Sequence, residues 1–187
     1  TRIFDNPATE GHLPRPFGVF YQTDRPCYED VTAKQIEEAK AQTPADLDKL
    51  LGRVVNTTFE VMNVDRVSVL LMTDSGDLVP RTSKSRLGDA VTHHVPRSIA
   101  RQAVSDRVAI LTDNAAADDR FKGGQSILVQ SVRSAMCIPL MAGAEQVLGL
   151  LYVDNLTSTN SFSDEDLQFL IAFGGLAAIA IKNSRFA

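Results

Sequence analysis

The residues of this chain that could carry out chemistry are few and widely separated. His93 and His94 are metal-ligand types, but adjacent side chains diverge on regular structure, and no cysteine or carboxylate is spaced to complete a metal site. The carboxylate pairs at 118–119 and 164–165 belong to a loop and to a helix start. The sequence contains no P-loop, no HExxH and no Ser-His-Asp spacing. These patterns favour a protein that is not an enzyme and has no metal site.

Two cysteines, Cys27 and Cys137, are the candidates for thiol chemistry. They lie far apart in the sequence and no CxxC pair is present, which favours a reducing compartment. Cys137 falls within an apolar stretch that predicts a central strand. A buried structural thiol is therefore favoured there over a redox or nitric-oxide sensor.

Five cationic side chains within about twenty residues form a second candidate site, because a strand and a helix that converge could place them around an anion or phosphate. The alternative is a solvated face paired with acidic neighbours. The cationic residues are Arg81, Lys84, Arg86, Arg97 and Arg101, and the acidic neighbours are Asp77, Asp89 and Asp106.

Composition limits the classes of partner. The 187 residues are 44% hydrophobic and 22% charged, which is typical of one globular domain with some extra chain. The formal net charge of −4 gives no electrostatic reason to expect nucleic acid or an anionic membrane as partner. No apolar run has the length of a membrane span. We therefore expect a cytoplasmic protein without direct membrane contact.

The periodicity of apolar residues predicts the elements that must position any site. Residues 1–43 are rich in proline near their start and predict a linker or extended arm, followed by a domain over 44–187. Predicted helices cover 44–62, 96–106 and 164–185, and predicted strands cover 66–73, 78–84, 108–112, 134–141 and 147–154. Short turns make the hairpins antiparallel, so the expected fold class is α+β with helices covering an antiparallel sheet.

Two features of the last helix predict where it begins and how it packs. Ser163 is a preferred N-cap residue, and the acidic residues after it favour the positive end of the helix dipole. The small residues between 174 and 180 would let another helix approach closely. We expect this helix and the one over 44–62 to pack with their copies as a four-helix bundle.

The second half of the chain resembles the GAF family. The segments VRSAMCIPLM and VLGLLYVDN look like its paired strands, and FSDEDLQFLIAFGGLAAIAIKN is similar to its closing helix. Upstream, PRSIARQAVSDRVAILTDNAAADDRF resembles the stretch that borders the family's ligand pocket. The resemblance covers roughly residues 44–185. It implies a PAS-like fold with about six antiparallel strands, and terminal helices that pair with a second subunit.

The resemblance also implies a pocket between one sheet face and a lid of loops and short helices. In the cyclic-nucleotide subgroup, backbone NH groups at the start of the lid helix meet a phosphate, and Ile99 with Ala100 keeps that apolar-small pair. The implied ligand-binding residues are Ser68, Thr82, Ser83, Ile99, Ala100, Arg101, Asn114, Phe121, Tyr152 and Asn155.

The cyclic-nucleotide signature is present only in part. Asn155, Phe162 and the 164–165 pair match it, but Leu156 replaces a lysine and the Phe-to-Asp spacing is shortened. Tyr152 also stands where that subgroup tends to carry a carboxylate. The alternative interpretation is that Asn155 shapes a turn, Phe162 fills the core and the acidic pair caps a helix. A cyclic nucleotide, another small metabolite and no ligand all remain open, and no cofactor is predicted.

The function implied by the resemblance is a regulatory sensory domain of a larger bacterial signalling protein. The attached effector would be a kinase, cyclase, phosphatase or AAA+ domain in the same parent chain. One alternative is a ligand-free dimerisation module. Another is a relative of the catalytic GAF proteins that reduce free methionine sulfoxide with clustered cysteines, which Cys27 and Cys137 do not resemble in spacing.

Overall fold

Six strands form one antiparallel sheet in the order β1-β4-β5-β6-β2-β3. The computed structural model describes residues 19–22, 44–86, 88, 95–115, 117–120, 132–159 and 161–186. The strands are β1 (Val19–Gln22), β2 (Arg66–Met72), β3 (Leu78–Ser85), β4 (Val108–Thr112), β5 (Ser134–Ala142) and β6 (Gln146–Asn155). In that part of the chain the helices are α1 (Pro44–Val61), α2 (Arg97–Asp106) and α3 (Asp164–Phe186). The predicted α+β class is confirmed.

A tight turn joins the two strands of each hairpin at the position that the sequence predicts. Between β2 and β3, the Thr73 N–H donates to Asp77 O at 2.8 Å, and Gly76 has a φ of 87° that favours glycine. Between β5 and β6, Gly143 has a φ of 67°. Because both connections are short, the second strand of each hairpin returns beside the first. The other edge of β6 pairs with β2, which joins the two hairpins into one sheet.

The first face of the sheet packs against the two long helices. Val67, Val69 and Ile138 are fully buried there, together with apolar residues of α1 and α3. A Cβ added to Gly174 of α3 would lie 3.2 Å from Ile138 Cγ2, so the absence of a side chain there lets β5 approach α3 closely. Removing these side chains from water is the main stabilising contribution to the fold.

The second face of the sheet has one described helix over it. The short helix α2 contacts β4, β5 and β6, and Ile99 and Ala103 of α2 are fully buried against Ile110, Cys137 and the neighbouring strands. Arg107 joins α2 to β4 with a left-handed φ of 54°, and its Nε donates to Glu145 O at 3.0 Å. This single residue reverses the chain and holds α2 across the sheet.

The edge strand β1 lies within the segment that the sequence analysis assigned to a linker. Val19 to Gln22 pair antiparallel with the four residues from Leu111 back to Val108. Four residues are too short for an alternating pattern to be recognised beside the prolines of this segment. Residues 32–41 (TAKQIEEAKA), whose types are good helix formers, lie outside the described residues.

The last helix begins as predicted and has a composition that was not recognised. Ser163 Oγ accepts from the Asp166 N–H at 3.2 Å, and Asp166 Oδ2 accepts from the Ser163 N–H at 2.7 Å, which makes a reciprocal cap. By length and composition alone, the segment Asp164–Arg185 is also apolar enough to cross a membrane, with 50% of its window buried in the fold. This corrects the expectation that no such run exists, and α3 packs on β5 and β6 as a core helix does.

Candidate functional site

The sheet face beneath α2 carries polar side chains near its centre. Tyr152 of β6 lies opposite Ser68 of β2, and Ser68 lies opposite Ser83 of β3. In the next row, Asp154 lies opposite Arg66. Residues directly opposite on neighbouring strands point to the same face, so these side chains form one group.

A buried network links three members of this group. Arg66 Nε donates to Asp154 Oδ1 at 2.9 Å and to Asp154 Oδ2 at 3.1 Å, and Arg66 Nη2 also donates to Asp154 Oδ2. The Tyr152 hydroxyl donates to Asp154 Oδ2 at 2.8 Å. Asp154 is 0% exposed and Arg66 is 6% exposed. The ion pair is therefore shielded from solvent. In such a buried position a charge without a partner would be strongly unfavourable.

The network keeps Arg66 and Tyr152 in defined protonation states. Burial lowers the pKa of Arg66, but the hydrogen bonds and charge of Asp154 outweigh that effect and raise the pKa above its usual value. Burial raises the pKa of Tyr152 well above its usual value, and the nearby Asp154 carboxylate raises it further. At neutral pH the phenol is therefore a hydrogen-bond donor and the guanidinium is charged.

Only some of the residues implied for the pocket share this face. Ser68, Ser83 and Tyr152 point to this face, and Ser68 and Tyr152 are buried. Thr82 lies opposite Val69 on the face that packs against α1, so its placement in the pocket is corrected. The alternation of β3 puts neighbouring residues on opposite faces, so Thr82 and Ser83 cannot both point to one side.

The implied residues of the lid helix also divide. Ile99 is fully buried on the inner side of α2, whereas Arg101 is exposed on its outer surface. The Ala100 N–H donates to Pro96 O at 3.0 Å within the helix, so it is not free for a phosphate. Asn114 is half-buried in the loop after β4, and Phe121 lies outside the described residues.

Asn155 has the turn-shaping contacts that the alternative interpretation gives it. Its Oδ1 accepts from the Asp65 N–H at 2.9 Å, and its Nδ2 donates to Asn63 O at 3.1 Å. Asp65 Oδ2 in turn accepts from the Leu156 N–H at 2.8 Å. Phe162 is buried in the core beneath the long helices. Both residues thus have structural contacts that need no ligand, and a ligand role for Asn155 stays a prediction.

The five cationic side chains do not converge. Arg81 Nε lies 2.6 Å from Asp48 Oδ1, and Lys84 Nζ lies 4.9 Å from the centre of the Phe59 ring, both on the α1 side. Arg86 Nε lies 3.5 Å from Asp65 Oδ1. The remaining two residues, at 97 and 101, are exposed on α2 over the opposite face. The five residues therefore form no single anion site, because the sheet lies between the three that contact the side of α1 and the two on α2. This outcome favours the alternative of a solvated face.

Of the cysteine and histidine candidates, the structure describes Cys137 alone. Cys137 is a free, fully buried thiol on β5, and burial raises its pKa far above the usual value. Thiolate chemistry is disfavoured there, as expected for a structural cysteine. Cys27, His93 and His94 lie outside the described residues, and within the described ranges no group of three metal-ligating side chains is present.

Three polar residues of this face were not identified as site residues from the sequence. Arg66 and Asp154 each stand at the end of an apolar strand, where a charged residue predicts a strand boundary. Thr112 was included only as the last residue of a strand, yet it is 0% exposed. Their common signal is a polar residue in alternation with the apolar ones, but the pairing register that brings them together is not readable from one strand.

The unequal faces of the sheet define the class of protein. A six-stranded antiparallel sheet with two long helices on one face and a short helix over polar groups on the other is a PAS-like α+β domain. The GAF domain profile matches residues 46–181, most of the chain. The chain belongs to the GAF domain family, and the match falls within the stretch that the sequence motifs indicated.

Similar proteins agree with this assignment. The chain is 25% identical over 185 residues to a Nif-specific regulatory protein of Azorhizobium caulinodans, covering 94% of this chain and 30% of that protein. It therefore spans less than a third of that relative's length. The GAF domain of an Acinetobacter phosphoenolpyruvate-protein phosphotransferase has a TM-score of 0.63 at 20% identity, covering 81% of this chain and 90% of that one.

A second similar structure is that of an enzyme. The type II free methionine-R-sulfoxide reductase of Thermoplasma acidophilum has a TM-score of 0.58 at 16% identity, covering 79% of this chain and 94% of that chain. At such identities the likeness establishes the fold alone. Fold does not determine function, which must be argued from the site.

Proposed function

We propose that this GAF domain is the regulatory sensory domain of a larger bacterial signalling protein. It binds a small molecule between the sheet and α2, and it controls an effector domain in the same parent chain. The observation that carries this proposal is the group of buried polar side chains beneath α2, where Tyr152 and the ion pair of Arg66 with Asp154 interrupt an otherwise apolar interface. Apolar walls with a few oriented polar groups are typical of small-molecule sites.

Ligand binding would reach the effector through the lid and the long helices. A ligand shifts an equilibrium only by its different affinity for the two states, so α2 must have different contacts in each. The Arg107 link fixes the C-terminal end of α2 to the β5–β6 turn. At the output end, Arg185 of α3 donates to Met72 O. Movement of β6 beneath α2 would thus pass through its neighbour β2 to the last turn of α3.

The ligand is more consistent with a small metabolite than with a cyclic nucleotide. Thr82 faces away from the pocket, and the Ala100 N–H is used within α2, so two of the contacts implied by the subgroup are missing. The network supplies a phenol and a neutralised ion pair instead. By the same proposal the domain is cytoplasmic and needs no cofactor or nucleic acid.

A thermal-shift screen of cyclic nucleotides and central metabolites tests the ligand proposal. We expect at least one compound to raise the melting temperature, because a ligand that binds only the folded state stabilises it. Ser68→Val, beneath α2, should reduce that shift. Thr82→Val is the matched control on the neighbouring strand but the opposite face, and it should retain the shift. No shift with any compound, or equal loss in both variants, contradicts the proposal.

A second candidate function is dimerisation without a ligand. Apolar side chains along one side of α3 remain partly exposed at helical spacing, and the rings of Phe169 and Phe173 lie with centroids 4.5 Å apart. A helix with such an uncovered stripe is suited to pack against a copy of itself. The partly exposed residues are Phe169, Ala172, Phe173, Leu176 and Ile179.

Light scattering tests the dimer. We expect the wild-type chain to have twice the monomer mass, and Leu176→Lys to be monomeric because a charge would be buried in the interface. Ser105→Lys is the control, since Ser105 is exposed on α2, over the opposite face of the sheet. A monomeric wild-type chain, or dimers of both variants, counts against this function and leaves the ligand screen to decide the first.

A further inference from the structure

A polar row crosses the sheet beneath α2 at the end where β4 finishes. In adjacent strands Thr112 pairs with Ala135, Ala135 pairs with Asp154, and Asp154 pairs with Arg66. Side chains opposite one another on neighbouring strands share a face. The Thr112 hydroxyl and the Asp154 carboxylate therefore lie on one face, and in this row only the methyl group of Ala135 separates them.

Two buried hydroxyl groups at this end of the sheet lack partners in the described part of the chain. Thr112 Oγ1 has none although Thr112 is 0% exposed, and Ser98 Oγ in the first turn of α2 has none either. Because the single residue Arg107 reverses the chain between α2 and β4, and both elements are about 15 Å long, the start of α2 returns toward the end of β4. Buried polar groups without partners are rare and need an explanation.

The charges of this row are already balanced. Arg66 and Asp154 neutralise each other in a buried ion pair, and the exposed Arg101 of α2 lies on the outer surface. An ionised ligand group placed here would lose its hydration without gaining an opposite charge, which is strongly unfavourable. A ligand that reaches the row is therefore neutral.

The row offers one donor and one acceptor. Asp154 Oδ1 accepts from Arg66 Nε at 2.9 Å, and a carboxylate oxygen has a second lone pair for another donor. The Thr112 hydroxyl has no acceptor for its proton among the described residues, so it is available as a donor. The two residues lie two strands apart, a backbone separation of about 9.5 Å. A planar group with a carbonyl on one side and an N–H on the other spans that separation when α2 moves off the row, because Thr112, Ala135 and Asp154 are all 0% exposed without ligand.

We propose, on the basis of the small-molecule function above, that this site binds a neutral carboxamide. Its carbonyl oxygen accepts from Thr112 Oγ1, its N–H donates to Asp154 Oδ1, and its plane lies over Ala135. The apolar part of the ligand packs against Ile110 and Ile99, which are both fully buried on this face. Hydrogen bonds to both sides of the amide exclude the matching carboxylic acid, whose ionised form has no N–H.

The first test needs no ligand. The isosteric change Thr112→Val removes the hydroxyl, and without ligand we expect it to raise the melting temperature by about 2–4 °C, because the buried group has no partner to lose. Ser134→Val is the control, because the Ser134 hydroxyl donates to Ser158 O at 3.1 Å, so its loss should lower the melting temperature. A lowered value for Thr112→Val would show that its hydroxyl is satisfied and would overturn the site.

The second test compares amides with acids. Benzamide and nicotinamide are titrated by calorimetry into the full 187-residue chain, beside benzoate and nicotinate at the same concentrations. We expect heat from the amides alone, and about tenfold weaker amide binding in Thr112→Val than in Thr82→Val, which alters the opposite face. Binding of the acids with equal strength, or amide binding that Thr112→Val leaves unchanged, contradicts the proposal.

The outcomes separate this proposal from the sensory function. If the metabolite screen yields a ligand but no amide binds, the ligand class is wrong and the pocket stands. If the screen yields no ligand and no amide binds, the small-molecule function is wrong as well. If an amide binds and depends on Thr112, both proposals are supported.

Discussion

Arg66 and Asp154 face each other across β2 and β6, and Arg66 Nε lies 2.9 Å from Asp154 Oδ1 although 88 residues separate them in sequence. The two strands are central in the sheet, so the pair joins the first half of the domain to its last hairpin. Replacing a buried ion pair by apolar residues is often neutral for stability, whereas removing one partner is costly. This asymmetry makes the pair testable.

Breaking this pair from one side should destabilise the domain strongly. We expect Asp154→Leu and Arg66→Leu each to lower the free energy of unfolding by about 3–5 kcal/mol, because each leaves a buried charge without its partner. The double variant should be less destabilised than the sum of the two by at least about 2 kcal/mol. Urea unfolding of the four proteins measures the coupling. Additive effects would mean that the two charges are not coupled in solution.

The Tyr152 hydroxyl should stabilise the domain in a way that depends on pH. Its hydrogen bond to the buried Asp154 carboxylate is charge-assisted, so Tyr152→Phe should lower the free energy of unfolding by about 1.5–3 kcal/mol at pH 8. Burial raises the pKa of Tyr152 in the folded state above that of an unfolded tyrosine, which is about 10. The folded state therefore holds this proton more tightly than the unfolded state does.

The sign of the pH effect follows from that difference. Below about pH 10 the phenol is protonated in both states and the stabilisation is complete. As the pH rises past that value, the unfolded state loses its proton first, so the advantage of wild type over Tyr152→Phe should shrink. Urea unfolding of both proteins between about pH 8 and 11 measures the difference, in which other titrating groups cancel. A constant difference across that range would show that the pKa is not raised.

The buried thiol should be unreactive in the folded domain. Cys137 is 0% exposed and burial raises its pKa far above the usual value, so little thiolate forms. In a Cys27→Ser variant we expect no labelling by a thiol-specific disulfide reagent under native conditions, and one thiol labelled in urea. The same variant should not reduce free methionine sulfoxide. Rapid native labelling or measurable reduction would argue for the catalytic alternative.

Local signals in the sequence predicted local structure well. The reciprocal bonds between Ser163 and Asp166 follow from residue types three positions apart, so the start of α3 was predicted correctly. The glycines of the hairpin turns are equally local. The short strand β1 was missed, because it is defined by pairing with β4 and not by its own pattern.

The composition of the site was less predictable because it depends on register. Ser83 and Thr82 look equivalent in the sequence, but pairing with β2 puts only Ser83 on the face beneath α2. The hydrogen bond between Arg66 and Asp154 likewise requires two strands to be aligned residue by residue. Pairing between distant strands is set by packing across the whole sheet, which a single strand does not encode.

Gly149 gives the sharpest test of how β6 fits its neighbours. A Cβ at this position would lie 2.1 Å from Leu70 O, a backbone atom of the adjacent strand that cannot move without separating β2 from β6. We expect Gly149→Ala to lower the free energy of unfolding by more than about 4 kcal/mol, or to prevent folding. In contrast, a Cβ at Gly52 of α1 would meet nothing within 4 Å. Gly52→Ala should therefore stabilise the domain by about 0.5–1 kcal/mol, because alanine restricts the unfolded chain. Urea unfolding of both variants distinguishes a clash from a general effect of adding a methyl group, and equal behaviour of the two would show that β2 does not approach Gly149 so closely.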